Sequence, residues 1–165
     1  MVGETKDELG GSEYYEYIHN FIGGVAPKVD FSESKKNMKS VLSLISKNLV
    51  KSVHDCSKGG LAIGISELCI FGKIGCKIDL SSSSLSSEKM LFSESHSRYI
   101  LVVNKNNLDA IKSILSDDQC SFSEIGIFSG DQIIFESGSN QILELRVDKA
   151  ENNYLNSLGK IIQNG

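Results

Sequence analysis

Apolar positions along this chain recur in two rhythms. One has the 3.6-residue period of a helix, the other the alternation or continuous apolar run of a strand. Tyr14, Ile18, Phe21 and Ile22 fall at helical spacing and predict a short helix over 13–22, with Ser12 as N-cap and Gly23-Gly24 ending it. A longer helix is predicted from Ser32 to Asn48. Its inward stripe is Met38, Val41, Leu42, Ile45 and Leu49, with lysines and serines opposite. Leu61, Ile65, Leu68 and Cys69 mark a helix over 59–71. Leu108, Ile111 and Leu115 mark another, capped by Asn104 or Asn107 and running to Ser116. Tyr154, Leu158 and Ile161 give the inward face of a last helix over 149–162. Strands are predicted at 50–53, at 76–80 from polar and apolar alternation, and at 99–103. That last run, Tyr99-Ile100-Leu101-Val102-Val103, is apolar throughout and reads as central in a sheet. Residues 122–128 and 132–136 read as a hairpin around Ser129-Gly130-Asp131, with a further strand at 141–147. Residues 1–11 read as a leader with no core of its own, and the run Ser81–Ser87 as a low-complexity loop.

Strands and helices interleave, but the hairpins argue against a doubly wound parallel sheet. The expected fold is α+β, a mixed β-sheet sandwiched with helices. No repeat and no long linker divides the chain, so residues 1–165 are expected to be one domain. Its 40% hydrophobic residues suffice for a sizeable core. The net charge of -4 removes the basic surface that nucleic acid would need. No apolar run approaches the roughly 18 residues of a membrane span. The opening Met1–Glu8 is acidic and polar, unlike a signal peptide, so a cytoplasmic setting is expected. The 4 cysteines, Cys56, Cys69, Cys76 and Cys120, form no Cys-x-x-Cys pair, so no metal site is expected from them.

Candidate chemistry concentrates in two stretches. In Val53-His54-Asp55-Cys56-Ser57-Lys58-Gly59-Gly60-Leu61, a strand runs through a polar turn into a helix. His54 and Asp55 stand at the strand end, where open α/β sheets place their sites. Ser57, Gly59 and Gly60 stand at a helix start, whose unpaired amides favour anions. The plain alternative is that Asp55 or Ser57 only caps the helix. The second stretch, Leu91-Phe92-Ser93-Glu94-Ser95-His96-Ser97-Arg98, holds a carboxylate, hydroxyls, an imidazole and a guanidinium. Such a set can hold a polar ligand by directed hydrogen bonds. It also suits a satisfied polar loop in which Glu94 pairs with Arg98. No Walker loop and no Gly-x-Gly-x-x-Gly fingerprint appears.

These two stretches, with Leu9-Gly10-Gly11-Ser12-Glu13-Tyr14 and the late Ile125-Gly126-Ile127-Phe128-Ser129-Gly130, resemble the carboxy-terminal domain of the phosphoribosylformylglycinamidine synthase family. Their order and spacing fit over almost the whole chain. The resemblance implies a domain of an ATP-dependent ligase of purine biosynthesis. That enzyme converts formylglycinamide ribonucleotide and glutamine-derived ammonia into formylglycinamidine ribonucleotide. It further implies an aminoimidazole ribonucleotide synthetase C-terminal type of fold, the last of four domains in two fused copies, and a Met1 that starts a fragment. The implied cofactors, ATP and magnesium, belong to the complete enzyme, with none expected for this domain alone. The implied partners are the remaining domains of the synthetase, a glutaminase and small accessory subunits.

Ser93, Glu94 and Ser95 match a Ser-Glu-Ser-Gln signature that contacts substrate in the family's first copy. His96 stands where that signature has glutamine, and Lys58 where the family often has aspartate. By this resemblance Glu94, Ser95 and His96 are the expected substrate-binding residues. Ser57, Gly59 and Gly60 are expected to face phosphate, beside the turn of His54 and Asp55. No catalytic base or metal ligand is expected within the chain. Two other readings compete: a related ATP-using enzyme such as aminoimidazole ribonucleotide synthetase, which the opening Gly-Gly-Ser-Glu-Tyr opposes, and a non-catalytic binding or assembly module.

Overall fold

The structure, a computed structural model, describes the backbone of residues 1–163 and the side chains of residues 1–157. Its elements in order are α1 (Glu13–His19), α2 (Phe31–Ser46), β1 (Val50–Asp55), α3 (Gly60–Gly72), β2 (Cys76–Asp79), α4 (Ser87–Phe92), β3 (Tyr99–Val103), a 3₁₀ turn (Lys105–Asn107), α5 (Leu108–Asp117), β4 (Gly126–Phe128), β5 (Gln132–Ser137), β6 (Asn140–Arg146) and α6 (Val147–Gln163). They gather into two compact units. The first comprises Met1–Gly64 and Leu85–Glu124, the second Ile65–Ser84 and the chain from Ile125 onward. Among the described residues no helix is long and apolar enough to cross a membrane.

In the first unit, β1 and β3 pair antiparallel as a two-stranded sheet. The apolar run of β3 therefore does not mark a central strand. It is apolar because helices and neighbouring chain cover both of its sides. Tyr99, Leu101 and Val103 pack on a core of Val2, Val41, Leu44, Ile111, Leu115 and Cys120, while Ile100 is itself buried. Residues 1–11 are not a coreless leader. Val2 is fully buried, its N–H donates to Tyr99 O at 2.8 Å, and Tyr99 N donates back at 2.9 Å. The Val-to-Tyr bridge extends the ribbon by a residue that the sequence had left outside it.

α2 is also turned from its expected orientation. Asp30 caps it by accepting from Ser32 N and Glu33 N. Its buried side chains are Asn37, Ser40, Val41 and Leu44, whereas Met38, Leu42 and Ile45 are exposed. Each member of the polar pair makes a hydrogen bond there, although Asn37 Oδ1 is buried without a partner among the described residues. Asn37 Nδ2 donates to Ser97 O at 3.1 Å, and Ser40 Oγ to Asp118 Oδ2 at 2.6 Å. α1 has the expected Ser12 cap, whose Oγ accepts from Tyr15 N at 3.3 Å. The helix stops at His19, however, and leaves Ile18, Phe21 and Ile22 exposed. Tyr14 instead stacks on Phe92, ring centres 4.7 Å apart. α4 emerges from the serine-rich run read as a loop, with Ser86 at its N-cap position. α5 turns Ile111 and Leu115 inward as expected.

The second unit is a four-stranded sheet in the order β4-β2-β5-β6. It is mixed: β2 runs antiparallel to β4 and parallel to β5, and β5 runs antiparallel to β6. The predicted hairpin of 122–128 with 132–136 is absent, since β2 lies between its two arms. Gly75 explains the insertion, because its N–H donates to Gly130 O and its O accepts from Ser129 N. The presumed hairpin turn thus clasps the start of β2. β5 and β6 do form a hairpin, through Ser137↔Asn140. β2 shows the expected alternation, with Cys76 and Ile78 buried and Lys77 and Asp79 exposed. Tyr154 on α6 is half-exposed rather than buried, and its hydroxyl donates to Glu67 at 2.9 Å. Leu158 and Ile161 lie outside the described side chains.

Candidate functional site

β1 ends at Asp55, a short turn follows, and α3 opens at Gly60. Gly59 and Gly60 have φ of +72° and +64°, a left-handed conformation that favours glycine. A Cβ on Gly60 would stand 2.6 Å from Ser93 O and 2.7 Å from Leu91 O. This close approach seats the 57–60 turn directly on the second polar stretch. The contact is completed by Glu94, whose Oε1 accepts from Gly59 N at 2.9 Å and from Glu13 N at 3.0 Å. One carboxylate oxygen thus joins the starts of α1 and α3. Three separated sequence stretches, 9–14, 54–61 and 91–98, meet at it. Negative charge is favoured at a helix N-terminus, so this is an electrostatically sound position for a carboxylate.

The turn's donors are engaged within the chain. Gly59 N is taken by Glu94, and Gly60 N donates to Ser57 O at 3.0 Å. As placed, the two glycines do not offer these amides to a phosphate: the anion at this helix start is the protein's own. Ser57 is exposed, as is Asp55, while His54 is half-buried with Nδ1 2.6 Å from Asp55 O. Lys58 pairs with Glu13 at 2.7 Å, and this bond holds its ammonium pKa above the ordinary value.

The rest of the cluster faces the chain's opening residues. Ser93 Oγ accepts from Glu8 N, Ser95 Oγ from Lys6 N at 3.0 Å, and Glu8 O from Glu94 N. Ser95 is buried by this contact, whereas His96 is exposed and Glu94 half-buried. Arg98 does not pair with Glu94. It lies buried and donates to Ser95 O at 2.9 Å, Ser93 O at 2.5 Å and Thr5 Oγ1 at 2.9 Å. Burial lowers its pKa, yet a guanidinium remains a cation, and its donors fix the 93–95 backbone. Glu8 is the residue that sequence reasoning missed. Its Oε1 accepts from Lys28 N at 3.0 Å, while Oε2 is buried with no hydrogen-bond partner among the described residues. Burial opposes its charge, but the Lys28 N–H, the nearby Ser95 hydroxyl and Lys6 outweigh that and hold its pKa below the ordinary carboxylate value. The signal available was its place immediately before the Leu9–Tyr14 motif.

Chemically, Glu94 Oε2 makes no hydrogen bond among the described residues and remains an acceptor. His96, two positions further along the chain, is exposed and carries a second polar group. Among the described residues no group of three His, Cys, Asp or Glu side chains is arranged to hold a metal. Cys56 is buried and its thiol pKa is raised by desolvation, which leaves it unreactive.

Fold and site together define an α+β chain with a mixed sheet in one unit and a carboxylate-bridged pair of helix starts in the other. The chain belongs to the family described as AIR synthase related protein, C-terminal domain, whose sequence profile matches residues 1–136. It is 35% identical over 165 residues to phosphoribosylformylglycinamidine synthase subunit PurL of Methanococcus aeolicus, covering 98% of this chain and 22% of that protein. It is 40% identical over 164 residues to the same subunit of Thermococcus sibiricus, covering 96% of this chain and 22% of that protein. The chain therefore spans about a fifth of the length of these relatives. Thermotoga maritima PurL complexed with FGAR superposes with a TM-score of 0.81 at 17% identity, over 91% of this chain and 27% of that one, a likeness of fold.

Proposed function

We propose that this chain is the carboxy-terminal domain of a phosphoribosylformylglycinamidine synthase. The observation that supports this is end-to-end similarity to subunits of that name, at 35–40% identity over 96–98% of the chain. The reaction belongs to the complete protein. The amide oxygen of formylglycinamide ribonucleotide takes the terminal phosphoryl group of ATP, and ADP leaves as the bond to the β-phosphate oxygen breaks. Ammonia then adds at the amide carbon and inorganic phosphate leaves, giving the amidine. ATP and magnesium are held in the remaining domains, and ammonia comes from a glutaminase partner acting with a small accessory subunit in the cytoplasm.

Within this scheme the chain supplies a wall of the substrate cleft. Glu94 Oε1 acts as a strut that fixes the α1 and α3 starts, as its two amide bonds suggest. Its second oxygen and exposed His96 face ribose hydroxyls, which donate well to carboxylates. Ser95 acts by positioning, since its hydroxyl is engaged by Lys6 N. Exposed Ser57, rather than the Gly59 and Gly60 amides, is the group in this turn able to meet a phosphate.

The test is ATP-dependent conversion of formylglycinamide ribonucleotide, with ammonium as nitrogen source, by the complete protein that carries this chain. Conversion is expected, with a raised KM in H96A at an unchanged melting temperature. Absence of conversion in a folded complete protein would refute the assignment. Full activity and normal KM in H96A would remove His96 from the site and leave the family assignment standing.

A further inference from the structure

A second polar centre lies on α2, apart from the site above and independent of the function proposed for it. Ser32, Lys35, Lys36, Lys39 and Ser40 recur at three- and four-residue intervals and form one face of that helix. With Asp118 they line an open surface depression of about 330 Å³. From this juxtaposition we propose that the depression binds a phosphate-class anion, either inorganic polyphosphate or the phosphate chain of a nucleotide.

The charge balance carries the argument. Three ammonium groups face one carboxylate, in a chain whose net charge is -4. Among the described residues, none of the three lysines enters an ion pair. Six others, Lys6, Lys58, Lys73, Lys77, Lys89 and Lys112, each have a carboxylate partner, while the remaining unpaired lysines among the described residues do not share a helix face with one another. Like charges one turn apart on a helix are mutually destabilising, and an anion between them relieves that cost. The single acid is already engaged, since Asp118 Oδ2 accepts from Ser40 Oγ, which in turn accepts from Cys120 Sγ at 3.2 Å. Asp30, at the start of the helix, spends one oxygen on the Ser32 and Glu33 amides.

The rim is also partly preorganised. Lys36 Nζ donates to Gln119 O at 2.6 Å, which anchors one ammonium at the edge of the depression. Lys35 and Lys39 are exposed and free to close on a ligand. The local excess of about two positive charges matches a phosphate dianion better than a single carboxylate. Lysine suits this task because its compact ammonium binds phosphate as a point charge.

The test is calorimetric titration of the full chain with inorganic phosphate, tripolyphosphate and ATP, at constant ionic strength in chloride. Saturable one-to-one binding is expected. Affinity is expected to fall about tenfold or more in K35Q/K39Q, a change of about 1.4 kcal/mol. It should rise in D118N and stay unchanged in K51Q/K105Q, which alters two exposed lysines elsewhere in the same unit. ATP binding no tighter than tripolyphosphate assigns the site to free polyphosphate, and tighter binding assigns it to a nucleotide. Non-saturating heats, or equal affinity in wild type and a folded K35Q/K39Q, would overturn the proposal.

Discussion

Single residues hold the candidate site together through backbone groups more than through one another. Glu94 satisfies two amides with one oxygen, and Arg98 satisfies two carbonyls and a hydroxyl. Removing either leaves partly buried donors or acceptors without partners. E94A is expected to lower unfolding stability by about 1–3 kcal/mol, and E94Q, which keeps an acceptor, by less. Chemical denaturation of the two variants side by side reads the difference; equal losses would show that charge, not hydrogen bonding, is what matters there. Glu8 gives a pH signature. Its folded pKa is lowered from the ordinary value, so it contributes stability above its unfolded pKa, and that contribution is lost as pH falls through the folded value. E8Q is therefore expected to show a shallower loss of stability with acid below about pH 5 than the wild type. A melting-temperature series against pH checks this, and parallel curves would contradict it. The motif residues were visible in the sequence, but their partners were not. Thr5, Lys6 and Glu8 lie some 90 positions from Ser93–Arg98, and no local pattern encodes such a pairing.

Elements were legible where their own periodicity set their packing. β2 alternates as read, and α5 buries the expected leucine and isoleucine. Legibility failed where polar groups found buried partners. Asn37 and Ser40 rotate α2 away from its apolar stripe, and a hydrophobicity pattern has no means of counting hydrogen bonds made across the fold. It failed again in the sheet, where adjacency along the chain suggested a β4–β5 hairpin. The sheet order rests on glycine: a Cβ on Gly126 would stand 2.1 Å from Lys77 O across the β2–β4 pair. G126V is therefore expected to detach β4, lowering the melting temperature by several degrees and deprotecting the β2 amides that face it. Native-state hydrogen exchange at residues 76–78 checks this; unchanged protection would mean that the strand pair tolerates the side chain.

For the whole molecule, the sequence reading of an α+β fold with a mixed sheet agrees with the structure, while the internal division does not show in composition. The chain passes between its two compact units at 64/65, 84/85 and 124/125, without a proline- or glycine-rich linker at any of them. α3 contributes its first residues to one unit and the remainder to the other. A boundary inside a helix has no signature in local propensity, because the residues on either side share one period. The candidate site lies wholly in the first unit, as does the lysine-lined depression. The chain spans about a fifth of the length of its relatives. In the assay described above, the isolated chain is accordingly expected to give no ATP-dependent turnover, and measurable conversion by it would contradict the reading of a domain that needs the rest of its protein.

The carboxylate seated at the opening of α3 has an evolutionary corollary. A socket already occupied by its own plug is one codon from vacancy: exchange of Glu94 for glycine or alanine would leave the amides of Gly59 and Glu13 pointing at a hole of carboxylate size. Gain and loss of an anion receptor in descendants of this fold then need no new loop and no new helix, only the presence or absence of a single side chain.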